Sequence, residues 1–89
     1  MNIGFLGLGK LGLPVSLAVE DKGHKIFGYD ISKQTINDIK NRKIKYKEEW
    51  VEKYLPKTSL EITDINDLVK KSEIIFVPIQ TPHDPKYEG

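Results

Sequence analysis

The glycine-rich turn Gly7-Leu8-Gly9-Lys10-Leu11-Gly12 lies directly behind the apolar run Ile3-Gly4-Phe5-Leu6. A second apolar run, Lys25-Ile26-Phe27-Gly28-Tyr29, ends on Asp30. The order is strand, glycine turn, helix, strand, acid, with the acid about twenty residues beyond the turn, as a chain that holds a dinucleotide requires. Gly7 allows the sharp exit from the first strand. Gly9, without a Cβ, lets the backbone lie against a pyrophosphate, and Gly12 lets the helix pack close to the strand. The first turn of that helix supplies N–H donors and the positive end of its dipole to an anion. Asp30 would accept hydrogen bonds from the adenosine ribose hydroxyls. Its charge would repel a 2′-phosphate, which favours NAD over NADP. The alternative is a turn that only packs a helix on a strand.

The rest of the chain repeats the strand–helix alternation. A first strand is expected over about Asn2 to Leu6, and a helix from about Lys10 to Lys22 with Leu11, Val15, Ala18 and Val19 on its apolar face. Gly23 closes that helix, and a second strand runs from Lys25 to Tyr29. Ser32 is a good N-cap for the next helix, with Ile31 and Ile36 spaced as a hydrophobic staple and Ile36 and Ile39 as its buried face. Around and beyond Asn41 comes a basic stretch carrying Lys40, Arg42, Lys43, Lys45 and Lys47; it reads as a solvated loop, with an anion-binding patch as the functional alternative. Tyr46, Trp50 and Tyr54 recur every four residues through a short helix over about Lys47 to Leu55. That stripe suits packing against the body of the domain or a neighbour, with a nucleotide base stacked on it as the functional alternative. Leu60 and Ile62 alternate with polar residues in a third strand over Thr58 to Thr63. Asp64 caps a helix whose apolar side is Ile65, Leu68 and Val69. Glu73 to Val77 reads as a fourth strand, buried on both faces, and Pro78 to Gly89 as a loop. The fold class is therefore α/β: a Rossmann-type parallel sheet of about four strands, in the order 3-2-1-4, with helices on both faces. Ligands would bind where that order reverses, between strands 1 and 4.

With 89 residues the chain is short for a complete dinucleotide-binding domain, so residues 1–89 read as the front part of one, within a longer enzyme. Such a half-sheet leaves strand 4 as an exposed apolar edge, from which self-association, or poor stability, is expected for residues 1–89 alone. Lys and Arg number 14 against 13 Asp and Glu, a balance that argues against a nucleic-acid partner. No apolar stretch is long enough to span a bilayer, and the start does not read as a signal peptide, so a cytoplasmic protein is expected. The sequence contains no cysteine, which excludes disulfides and a thiolate nucleophile from this segment. His83 and Asp84 lack further ligands at metal-binding spacing and read as solvent-facing.

The opening Ile3-Gly4-Phe5-Leu6-Gly7-Leu8-Gly9-Lys10-Leu11-Gly12-Leu13-Pro14, with Lys22-Gly23-His24, Tyr29-Asp30 and the Thr81-Pro82 after strand four, resembles the N-terminal part of the UDP-glucose/GDP-mannose dehydrogenase family. The resemblance covers almost the whole chain. It implies an enzyme that oxidises the C6 alcohol of a nucleotide sugar to a carboxylate with two NAD. It places the family's catalytic cysteine and helper residues later in the chain, so no catalytic residue falls within residues 1–89. For cofactor binding it implies Gly7, Gly9 and Gly12, the backbones of Lys10 and Leu11, Asp30 at the ribose and Thr81 near the nicotinamide half. Three departures stand out. Thr35 occupies the position, five beyond the acid, where the family usually has a basic residue, and Lys33 stands nearby as its substitute. Tyr46-Lys47-Glu48-Glu49 replaces the usual Tyr-Glu-Pro-Gly, and Val77-Pro78-Ile79-Gln80 precedes Thr81-Pro82. A homo-oligomer acting on a nucleotide sugar is the expectation. The competing readings are another NAD-dependent oxidoreductase, such as a hydroxyacid dehydrogenase, or a nucleotide-binding or interaction module without catalysis.

Overall fold

The computed structural model describes residues 1–78. Four strands, β1 (Asn2–Leu6), β2 (Lys25–Tyr29), β3 (Glu61–Ile62) and β4 (Ile74–Phe76), form one sheet in the order β3-β2-β1-β4. All pairings are parallel, with Ile3 opposite both Ile26 and Ile74, and Phe5 opposite Gly28 and Phe76. Between the strands run α1 (Gly12–Asp21), α2 (Lys33–Lys40), α3 (Glu49–Tyr54) and α4 (Ile65–Lys71). The expected strand order and alternation are those observed.

Alternate residues of β1 and β2 divide the protein into two layers. Ile3, Phe5 and Ile26 face α1, α2 and α3, and pack with Leu13, Leu17, Ile39, Val51 and Leu55 in one buried cluster. Gly4 faces the other way, against α4. A Cβ there would lie 2.6 Å from Leu68 Cδ2, so the glycine sets how closely α4 approaches the sheet.

Several elements differ from their sequence reading for identifiable reasons. The buried face of α1 is Gly12, Leu13, Ser16 and Leu17, whereas Leu11 and Val15 are about half exposed and Ala18 is exposed. Ser16 hides this stripe in the sequence. It is fully buried because its hydroxyl donates to the Leu13 carbonyl at 2.7 Å and so needs no water. The helix also starts two residues later than expected, at Gly12, and ends as expected at Gly23, whose φ of 103° is left-handed.

Ser32 caps α2 through its Oγ, which accepts from the Thr35 N–H at 3.2 Å. The staple does not form: Ile31 is 87% exposed. In the third strand only Glu61 and Ile62 join the ladder, because side chains satisfy the backbone before them. The Glu20 carboxylate accepts from Thr58 Oγ1 and from the Ser59 N–H at 2.9 Å, and Thr58 Oγ1 accepts from the Leu60 N–H at 3.0 Å. Replacing Glu20 with Ala leaves two donors without their acceptor, a loss of about 2 kcal/mol for bonds to a charged group. Hydrogen exchange should therefore speed up by about thirtyfold at the Ser59 amide, with little change in β1.

Trp50 and Tyr54 stack on each other at 5.0 Å on the outer side of α3, and Val51 and Leu55 enter the core in their place. Tyr54 packs partly against that core, and Trp50 remains 41% exposed. In α4, Asp64 caps as expected, accepting from the Asp67 N–H at 2.8 Å. Only Leu68 of its apolar residues is buried, and Ile65 and Val69 are about half exposed. β4 is not covered on both faces: Ile74 and Phe76 are more than 40% exposed, although the Phe76 ring stacks on Phe5 at 5.4 Å.

Candidate functional site

The glycine turn emerges at the carboxyl end of β1, the end to which β2 also delivers Asp30. Gly7 turns the chain with φ 134°, and its N–H donates to the Tyr29 carbonyl at 2.8 Å. A Cβ on Gly12 would stand 2.1 Å from the Gly7 carbonyl oxygen, so the turn closes only around a bare Cα. Gly9 is the opposite case. Among the described residues, and apart from its two chain neighbours, no atom lies within 4 Å of a Cβ built there, which leaves an open backbone face beside the start of α1. The three glycines thus have different tasks: turning, exposing backbone and allowing close packing.

Asp30 ties two crossovers together. Its Oδ2 accepts from the Leu8 N–H and its Oδ1 from the Ser32 N–H, both at 2.8 Å. A carboxylate oxygen has more than one acceptor site, so both oxygens can still receive ribose hydroxyls. By holding Ser32, the carboxylate leaves Ile31 on the outside of the bend. Ile31 and Ile65 flank a cleft of about 210 Å³ that also touches Gly7, Tyr29 and Asp30.

The other residues named from the sequence are spread around this centre. The Lys10 side chain is exposed, with Nζ 6.0 Å from the centre of the Tyr46 ring. Leu11 holds the cap position of α1 with a helical backbone and no side-chain cap bond. Lys33 lines a separate hollow of about 420 Å³, shared with Asp30, Ile31 and Lys40. Thr81, together with Pro82, His83 and Asp84, lies outside the described residues. Burial, followed by the nearby Glu48 carboxylate, pushes the Tyr46 phenol above its ordinary pKa. Among the described residues, no group of three His, Cys, Asp or Glu side chains is placed to hold a metal ion, and no helix is long and apolar enough to cross a membrane.

Two contributors escaped the sequence reading. Leu8, inside the fingerprint, is 1% exposed and fills the space above Gly28, where a Cβ would come within 2.7 Å of Leu8 Cδ1. Leu8 therefore seats the turn in the core. The available signal was Gly28 itself, since a glycine inside a strand marks close approach by another group. Ser32 contributes a backbone donor to the acid as well as a cap, and nothing in its residue type announces the first role.

A parallel sheet in this order, a glycine turn opening at the switch point and a carboxylate anchored beside it define a Rossmann-type dinucleotide-binding domain. The comparisons give the family. Residues 1–88 match the description "UDP-glucose/GDP-mannose dehydrogenase family, NAD binding domain", and the chain belongs to that family. It is 36% identical over 83 residues to Protein CapL of Staphylococcus aureus, covering 93% of this chain and 19% of that one. It is 30% identical over 86 residues to the UDP-N-acetyl-D-mannosamine dehydrogenase of Pyrococcus horikoshii, covering 92% and 21% respectively. Among solved structures, it superposes on a ternary complex of GDP-mannose dehydrogenase from Pseudomonas aeruginosa with a TM-score of 0.86 and 27% identity, over 99% of this chain and 21% of that one. The chain thus spans about a fifth of the length of these relatives.

Proposed function

We propose that this chain is the front part of the NAD-binding domain of a nucleotide-sugar 6-dehydrogenase, which oxidises the C6 alcohol of a UDP- or GDP-sugar to the carboxylate. The observation that carries the reading is the Asp30 carboxylate, hydrogen-bonded to the Leu8 N–H of the glycine turn and bordering the Ile31–Ile65 cleft. The residues fit the coenzyme. The bare face of Gly9 and the first turn of α1 would take the diphosphate. Asp30 would take the adenosine ribose, and Ile31 and Ile65 would enclose the adenine between apolar walls. Lys10 and Leu11 would contribute backbone donors. Lys33 would stand beside the ribose acid, and Thr81 near the nicotinamide. Bound NAD supplies the hydride acceptor. Over the whole reaction two hydrides leave carbon 6 for two NAD, water supplies the second carboxylate oxygen, and protons are released. This segment binds and orients; it has no cysteine, so a thiolate for the second oxidation would come from elsewhere in a longer chain. The enzyme is read as a cytoplasmic homo-oligomer. The exposed Ile74, Phe76 and Val77 at β4 would invite association of residues 1–89 alone, and the rest of the domain would cover them in a longer enzyme.

UDP-N-acetyl-D-mannosamine is the first substrate to test, since a relative bears its name. The intact protein should form two NADH for each sugar acid, with little turnover on NADP. One NADH per substrate consumed, or a preference for NADP, would overturn the proposal.

A further inference from the structure

We propose that Lys10, Lys43 and Lys45 form a cationic wall that holds the coenzyme diphosphate from the side of α2, making the basic segment after α2 part of the coenzyme site. This rests on the reading that the glycine turn carries the diphosphate. A cavity of about 190 Å³ lies between that turn, α2 and the 43–46 segment, and its lining includes Gly9, Lys10, Thr35, Asp38, Lys43 and Lys45. Gly9 belongs both to this cavity and to the open face of the turn, so an anion over the turn sits at the cavity mouth.

The charge balance at that mouth is positive. The lining carries three lysines against one carboxylate, Asp38, which already accepts from Gln34 Nε2 at 2.8 Å, with Glu48 near Tyr46 as an acid outside the lining. Among the described residues, the ion pairs involve Lys25, Lys53 and Lys71, and none of these three lysines. Like charges gathered around one opening repel, and a diphosphate would relieve that repulsion. Lys33, by contrast, opens onto the hollow on the far side of Asp30.

The segment is also held in place. α2 ends in a paired-bond motif: the Arg42 N–H donates to the Ile39 carbonyl at 3.0 Å and the Lys43 N–H to the Asp38 carbonyl at 2.8 Å. Arg42 takes the left-handed position with φ 59°, and its guanidinium Nη1 donates to the Ile39 carbonyl at 2.8 Å. One residue past Lys43, Ile44 packs against the hydrophobic core. Tyr46 also lines the cavity, and Lys10 Nζ lies 6.0 Å from the centre of its ring. The lysines are thus presented from a fixed backbone.

The test compares ADP, which carries the phosphates, with adenosine, which does not, by calorimetry on the intact protein. The double variant Lys43→Ala/Lys45→Ala should bind ADP about fivefold more weakly at low salt, as expected for the loss of two exposed charge contacts, and should bind adenosine unchanged. The difference should shrink as salt shortens the screening length. Lys10→Ala should act in the same direction, Lys43→Arg/Lys45→Arg should retain affinity, and Lys57→Ala, on the 3-10 turn after α3, should change neither ligand. Unaltered ADP binding in the double variant overturns the proposal. So does equal weakening of both ligands, which would report a damaged site rather than lost charge. If the unsubstituted protein binds neither probe, the coenzyme reading itself fails.

Discussion

Gly12→Ala should cost the domain at least about 3 kcal/mol, because no side-chain rearrangement can relieve the clash. The added methyl would sit 2.1 Å from the Gly7 carbonyl oxygen and 2.9 Å from its carbon, both backbone atoms. Either the turn opens or α1 moves away from β1, and α1 carries Leu13 and Leu17 in the core. For a domain of this size the loss corresponds to a fall in melting temperature of about 15 °C, measurable by thermal denaturation. Gly9→Ala makes the matching control. Among the described residues nothing crowds a Cβ at Gly9, so stability should change by less than about 1 kcal/mol. The methyl would nevertheless occupy the face proposed for the diphosphate, and NAD affinity should fall by about tenfold or more, the equivalent of about 1.4 kcal/mol. A Gly9→Ala protein that binds NAD normally would show that the diphosphate does not lie over this turn.

Asp30→Asn is expected to strike fold and binding together. An amide keeps one acceptor oxygen and places an NH2 group where the second oxygen was. One of the two backbone donors, Leu8 N–H or Ser32 N–H, then faces another donor. Losing one charge-assisted bond and weakening the other removes about 3 kcal/mol of stability. Coenzyme binding should weaken by a further 1–3 kcal/mol or so through the ribose contacts. Separating the two needs a stability curve with and without NAD: the stabilisation that NAD confers should shrink along with the baseline. If the baseline falls but the NAD increment is unchanged, Asp30 is a structural residue only.

The sequence was most legible where a residue acts on its own neighbours. Ser32 and Asp64 cap helices through bonds three residues long, and Gly23 takes a left-handed φ just past a helix end; each follows from local chemistry. The strand order followed from alternation and handedness. What escaped depends on residues distant in sequence. The true face of α1 turns on a serine that hides its own hydroxyl. Ile31 faces outward because Asp30 holds Ser32, and β3 is short because Glu20 of α1 competes for its backbone. At the site, the glycine turn and the acid beside it could be read from spacing. The seating of Leu8 over Gly28 could not, since it needs the pairing of β1 with β2.

The double anchorage of Asp30 also bears on re-engineering. Exchanging the acid for a small or basic residue, the obvious step toward accepting a phosphorylated ribose, would unfasten the glycine turn and the start of α2 that the acid holds together. Any variant retargeted on this reading therefore needs a compensating acceptor for the amides of Leu8 and Ser32, installed before selectivity is altered.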